Sequence, residues 1–126
     1  MLHHRHYTVD EANRELEVVG AIVRRIREAR HRLADDAPDS GFSTLAELSG
    51  GAWPGRDHAE AALEVALGFG RLEELDLVVR DLERGLVDFP SLLGGEEVYL
   101  CWIVGEPTVG HWHALEGGFS GRRPLT

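Results

Sequence analysis

The 126-residue chain contains no lysine, one cysteine, one methionine and no long apolar run. All thirteen basic residues are therefore Arg. That skew, beside abundant Ala, Gly, Asp and Glu, matches the codon bias of a GC-rich genome and points to no particular chemistry. A lone Cys101 excludes an intrachain disulfide and any cysteine-rich zinc site. No stretch approaches the ~20 apolar residues of a membrane span. The opening residues, Met1-Leu2-His3-His4-Arg5, form no apolar signal region, so the expectation is a bacterial, cytoplasmic protein. Neither a GxxxxGK[ST] nor a GxGxxG phosphate loop is present, and there is no serine nucleophile elbow. Base is also scarce beside acid: the net charge is −9. Nucleic acid and anionic membranes need a basic footprint, so neither is an expected partner.

At 13.9 kDa the chain has material for one core, so residues 1–126 read as a single domain. Its 43% hydrophobic and 28% charged residues are an ordinary globular mix. The charge is uneven. Residues 1–34 hold seven Arg against five acids, a net +2, and the remainder holds six against seventeen, a net −11. Five Arg (Arg24, Arg25, Arg27, Arg30 and Arg32) crowd one stretch. They read either as a phosphate-binding patch or as a solvated face pairing with Glu28, Glu60 and Glu64, and the acidic field of the whole chain favours the second.

Thr8-Val9-Asp10-Glu11 is a capping box. Val9, Ala12, Leu16, Val19, Val23, Ile26 and Leu33 follow at helical spacing, which predicts a helix over 9–33, about 37 Å long. Gly20 in its middle suggests close approach of another helix. Residues 35–58 read as a loop insertion, with a short helical turn at 44–48 and Trp53 as an anchor or lid. Ala61, Ala62, Val65, Ala66, Phe69, Leu72 and Leu75 predict a second helix over 57–75, antiparallel to the first. The apolar period then shortens towards two. Strands are expected at 77–80, at 86–89 (stopped by Pro90), at 98–104 and at 109–113. Helices first and strands second is the segregated α+β class: a long helical hairpin, then a small antiparallel sheet of two β-hairpins.

Several of these stretches resemble one family. Tyr7-Thr8, Glu11-Ala12-Asn13, Asp81-Leu82-Glu83-Arg84-Gly85-Leu86-Val87-Asp88-Phe89-Pro90, Val98-Tyr99-Leu100-Cys101-Trp102, Gly105-Glu106-Pro107, Trp112-His113 and Gly118-Phe119-Ser120-Gly121-Arg122 are similar to the prokaryotic domain of unknown function 2203 family. The likeness is weaker over 35–60, and Asp76 stands where Gly is expected to close a helix. The resemblance implies kinship, with no activity and no catalytic residue attached.

His111-x-His113 is the sharpest chemical signal. On a strand both rings project to one face, about 6–7 Å apart at Cα. Two imidazoles are half of a site for a divalent metal such as zinc, and Asp81, Glu83 and Asp88 are the carboxylates expected to complete it. Without metal, the same rings stack on aromatics or meet backbone partners. A four-residue loop at 105–108 pairs Val104 with Val109. His111 and His113 then share a face with Trp102 and Leu100, Cys101 lies on the other, and a Cys101–His113 nucleophilic pair is disfavoured unless an odd loop or a bulge slips the register by one. Asp81 reads most simply as a turn cap, whereas Asp88, in an apolar run, is either solvent-facing or buried with Arg80, Arg84 or His113. His3, His4 and His6 resemble a weak metal grip, but a frayed terminus before the Thr8 cap is the simpler reading.

Three functional readings follow. The first is a homodimeric binding or interaction module without catalysis, because a helix longer than the sheet leaves apolar turns bare at Val9, Ala12 and Leu16 or at Ile26 and Leu33, and one helical layer leaves the sheet face of Tyr99, Cys101 and Ile103 open. The second is a metal-binding protein or metal-assisted enzyme using His111 and His113 with carboxylates of 81–88. The third is a small-ligand pocket around Trp102, Trp112 and Phe119, with Arg122 or Arg123 as an anion clamp.

Overall fold

The computed structural model describes residues 1–36 and 53–125. Helix α1 spans Val9–Asp36 and helix α2 spans Trp53–Glu74. Strands β1 (Val78–Asp81), β2 (Leu86–Leu93), β3 (Glu96–Ile103), β4 (His111–Ala114) and β5 (Arg123–Pro124) form one antiparallel meander in the order β1-β2-β3-β4-β5. The architecture is α+β. The second helix starts earlier than the loop reading of 35–58 allowed, and the predicted turn at 44–48 lies outside the described residues, as does the Trp53 side chain.

The capping box forms as its residues dictate. The Thr8 N–H donates to Glu11 Oε1 at 2.9 Å, and the Glu11 N–H donates to Thr8 Oγ1 at 3.1 Å. Ala12, Leu16, Val19, Ile22, Val23 and Ile26 are then buried on α1. Glu64 of α2 meets Arg25 and Arg32, while Gly68, one turn later, rests on Ile26 and Ile22, so the helices run antiparallel. A Cβ on Gly68 would overlap Ile26 Cγ1, so the two helices approach closely at Gly68. Gly20 instead faces the Trp102 ring of the sheet, not a helix. The arginine-rich stretch is a solvated face, with Arg25 and Arg32 on Glu64 and Arg27 on the Glu83 carbonyl.

Helix α2 closes on a left-handed residue. Asp76 has φ 60°, its N–H donates to the Glu73 carbonyl, and the Leu77 N–H reaches back to the Leu72 carbonyl. This is the Schellman arrangement, with Leu72 and Leu77 both buried beside it.

The sheet is larger than two hairpins. Gly94 and Gly95, at φ 61° and 84°, form a two-residue turn that joins β2 to β3. Strand β2 also runs through Pro90 instead of stopping there. The Pro90 carbonyl takes the Tyr7 N–H at 2.7 Å, so that edge faces the N-terminal arm, beyond the end of β1. A missing N–H costs the ladder nothing at such a position. Val87, Phe89, Leu100 and Trp102 face the helices and form the core with Val19, Val23 and Leu72.

Candidate functional site

The opposite face of the sheet is polar yet closed. Pairing places Asp88 opposite Cys101, Cys101 opposite His111, and Tyr99 opposite His113. Directly opposed residues share a face, so Asp88, Tyr99, Cys101, His111 and His113 stand together. This corrects the expected register by one residue. The connection from β3 to β4 runs over 104–110, an odd count, and its ends are taken by other partners. The Val104 N–H donates to the Gly85 carbonyl at 2.9 Å, and the Val109 N–H donates to Asn13 Oδ1 at 2.7 Å. Val104 and Val109 therefore do not pair. The one-residue slip moves Cys101 to the face of His113 and sends Trp102 and Leu100 to the other.

Asp88 and His113 are each 1% exposed and Cys101 is 2% exposed. His113 Nε2 lies 3.0 Å from both Asp88 oxygens. Arg80 Nε donates to Asp88 Oδ2 at 2.7 Å, and its guanidinium lies 4.9 Å above the Tyr99 ring. That ring in turn tilts against His113 at 5.5 Å. His113 Nδ1 is 2.7 Å from the Ala114 carbonyl, which fixes the ring's orientation. The Cys101 thiol is pushed up to about 11 by burial and by the Asp88 charge, which favours its protonated form. Burial likewise raises the Tyr99 hydroxyl above its ordinary value. Asp88, Cys101 and His113 are thus enclosed together on this face.

Asp81 and Glu83 have partners elsewhere. Asp81 caps the β1–β2 turn by accepting the Arg84 N–H at 3.1 Å. Glu83 meets His31 at 2.9 Å. His111 shares the face, and its buried Nδ1 has no hydrogen-bond partner among the described residues. Trp102 and Trp112 share the helix-facing side of the sheet, with Trp112 packed against the core. Trp102 is buried in the core with its indole N–H on the Glu106 carbonyl, and Phe119 lies under Arg84 and Arg122. Arg122 is held by Glu106 at 2.6 Å, and Arg123 stands over Trp112. Trp112 also borders an open cavity of about 460 Å³ with Glu96, Glu97 and Glu116.

The N-terminal arm corrects the frayed-terminus reading. His3 Nδ1 meets Asp76 Oδ1 at 3.0 Å, and His3 Nε2 meets the Tyr99 hydroxyl at 2.6 Å. Asp76 also accepts the N–H groups of His4 and Arg5. Glu97 accepts the N–H groups of Leu2 and His3 and pairs with His6 at 2.7 Å. Burial pushes the Asp76 carboxyl up, but the hydrogen bonds from His3 and the Arg5 N–H and the nearby histidine charges outweigh it and hold it below its ordinary value. The hydrogen bond from His6, against burial and with the N–H groups of His3 and Leu2, brings Glu97 down to about 2. Depressed carboxyls favour the docked arm above their unfolded values and lose that effect as pH falls through their folded ones. The arm therefore stays docked from neutral pH to about 4.5 and leaves as pH approaches about 2. The amide resonances of Leu2 and His3 should titrate with a midpoint near 2, and a midpoint above 4 would contradict this.

Two antiparallel helices before a five-stranded meander, one face apolar and the other a closed ionic cluster, define a small α+β protein. The chain belongs to the family described as "Uncharacterized conserved protein (DUF2203)", which matches residues 5–125. No curated protein and no solved structure matches it.

Proposed function

We propose that this protein is a non-catalytic binding module that works as a symmetric homodimer in the bacterial cytoplasm, with neither nucleic acid nor membrane as partner. One observation carries the reading. Ala59, Ala62, Leu63, Ala66, Leu67 and Phe69 recur at three- and four-residue spacing on the side of α2 away from its buried Ala61 and Leu72, and all six are exposed. Leu63 is 57% exposed and Leu67 is 58% exposed. The stripe departs from the sequence expectation. Ala12, Leu16 and Ile26 are buried and Val9 and Leu33 are partly covered, so α1 is not the bare element.

A second α2 laid antiparallel across this stripe buries the leucines against the small alanines. It also brings Arg71 towards the partner's Glu60. Continuous exposed apolar stripes are uncommon on soluble monomers, and two-fold pairing is the commonest way to cover one. The closed state of the Asp88–His113 cluster supports the non-catalytic half of the reading, as does the protonated Cys101 thiol. No helix among the described residues is long and apolar enough to cross a membrane.

Light scattering at micromolar concentration should give twice the 13.9 kDa chain mass. The Leu63→Glu/Leu67→Glu double variant should give one chain mass with an unchanged circular dichroism spectrum. A wild-type mass that stays at one chain as concentration rises would defeat the proposal.

A further inference from the structure

We infer that Asp88, His113 and Cys101 form a closed binding site for one divalent cation of the zinc class. The inference is independent of self-association, since it concerns the opposite end of the fold's chemistry, and it rests first on hydrogen-bond geometry. His113 Nδ1 faces the Ala114 carbonyl at 2.7 Å, which aims Nε2 at Asp88, 3.0 Å from each carboxylate oxygen. An imidazole tethered by its second nitrogen to a backbone carbonyl is the arrangement that metal-bound histidines adopt.

The third donor selects among cations. One ligand atom from each of Asp88, Cys101 and His113 lies within 4.8 Å of the other two. An imidazole nitrogen, a sulfur and a carboxylate oxygen suit zinc and disfavour calcium or magnesium, which take oxygen alone. Zinc bonds of about 2.0–2.3 Å need donors about 3–4 Å apart, so the nitrogen and oxygen are already placed and the sulfur has a short distance to close. Arg80 Nε occupies Asp88 Oδ2 at 2.7 Å, so Oδ1 is the carboxylate oxygen offered to a cation. With all three ligands at most 2% exposed, the site is structural: catalytic zinc keeps a position open to substrate.

The test uses the untagged full-length chain, produced with zinc in the medium. Elemental analysis should find about one zinc per chain after buffer exchange. Cobalt(II) exchanged into the protein should give a thiolate-to-cobalt charge-transfer band. Cys101→Ser should abolish that band and weaken zinc binding by at least about 100-fold, the upper end of what loss of an outer-sphere contact costs. The His3→Ala/His4→Ala/His6→Ala variant should keep its zinc. As a measurement free of folding defects, zinc added to chelator-stripped wild-type protein should raise its melting temperature. The inference is overturned if folded wild-type protein takes up neither zinc nor cobalt, or if added zinc leaves the melting temperature unmoved. Retention of the band by Cys101→Ser, or loss of zinc in the histidine-arm variant, overturns it equally.

Discussion

Replacing Asp88 by alanine should cost about 3–5 kcal/mol of folding stability, the cost of breaking a buried ion pair from one side. Asp88 is 1% exposed and sits between Arg80 Nε at 2.7 Å and His113 Nε2 at 3.0 Å. Alanine leaves His113, itself 1% exposed, with a ring nitrogen facing a void. Arg80, on the partly open side, can turn to solvent, so most of the loss falls on His113. Asp88→Asn keeps the volume and an acceptor oxygen, and should cost less than alanine. The double variant Asp88→Ala/His113→Ala should cost clearly less than the sum of the two single losses, because the pair shares one interaction. Urea unfolding followed by tryptophan fluorescence measures all four differences. A loss below about 1 kcal/mol for Asp88→Ala would mean that the cluster is hydrated and the description of a closed site is wrong.

How far the sequence can be read depends on how local each determinant is. The capping box at Thr8 is three residues wide, and its hydrogen bonds form as the residues predict. The α+β order was legible because apolar period changes along the chain itself. The β3–β4 register was not. It is decided by Gly85 taking the Val104 N–H and Asn13 taking the Val109 N–H, and no local pattern reveals either partner. That one-residue error hid Cys101 from His113, although Asp88 stood out as a carboxylate inside an apolar run. The docked arm was hidden for the same reason, since His3 and His6 find Asp76 and Glu97 more than seventy residues away. One signal did exist. Asp76 occupies the left-handed closing position of α2, where Gly is strain-free and another residue costs about 1–2 kcal/mol. A carboxylate at such a place has a use, and here it holds the arm. Pro90 misled differently. A missing N–H ends a strand where that edge must pair, but the edge of β2 at Pro90 faces the arm and not β1.

Phe89→Ala should cost about 3–5 kcal/mol through the cavity it opens, towards the upper end of that range. Phe89 is fully buried, edge-to-face with Tyr7 at 5.3 Å and with Trp102 at 6.5 Å. The cost of such a truncation depends on how far the neighbours can collapse into the space. These neighbours are pinned. The Tyr7 hydroxyl donates to the Leu75 carbonyl, its N–H donates to the Pro90 carbonyl, and its own carbonyl accepts the Ser91 hydroxyl. Trp102 is held by the Glu106 carbonyl through its indole N–H. Neither ring can move inwards without breaking a buried hydrogen bond, so the cavity persists. Leu92→Ala is the control. It lies three residues along the same strand at 45% exposure and should change stability by less than about 0.5 kcal/mol, as surface substitutions do. Chemical denaturation of the two variants should therefore differ by several kcal/mol. Equal losses would show that the Phe89 ring is not the joint between the arm, the sheet and α1.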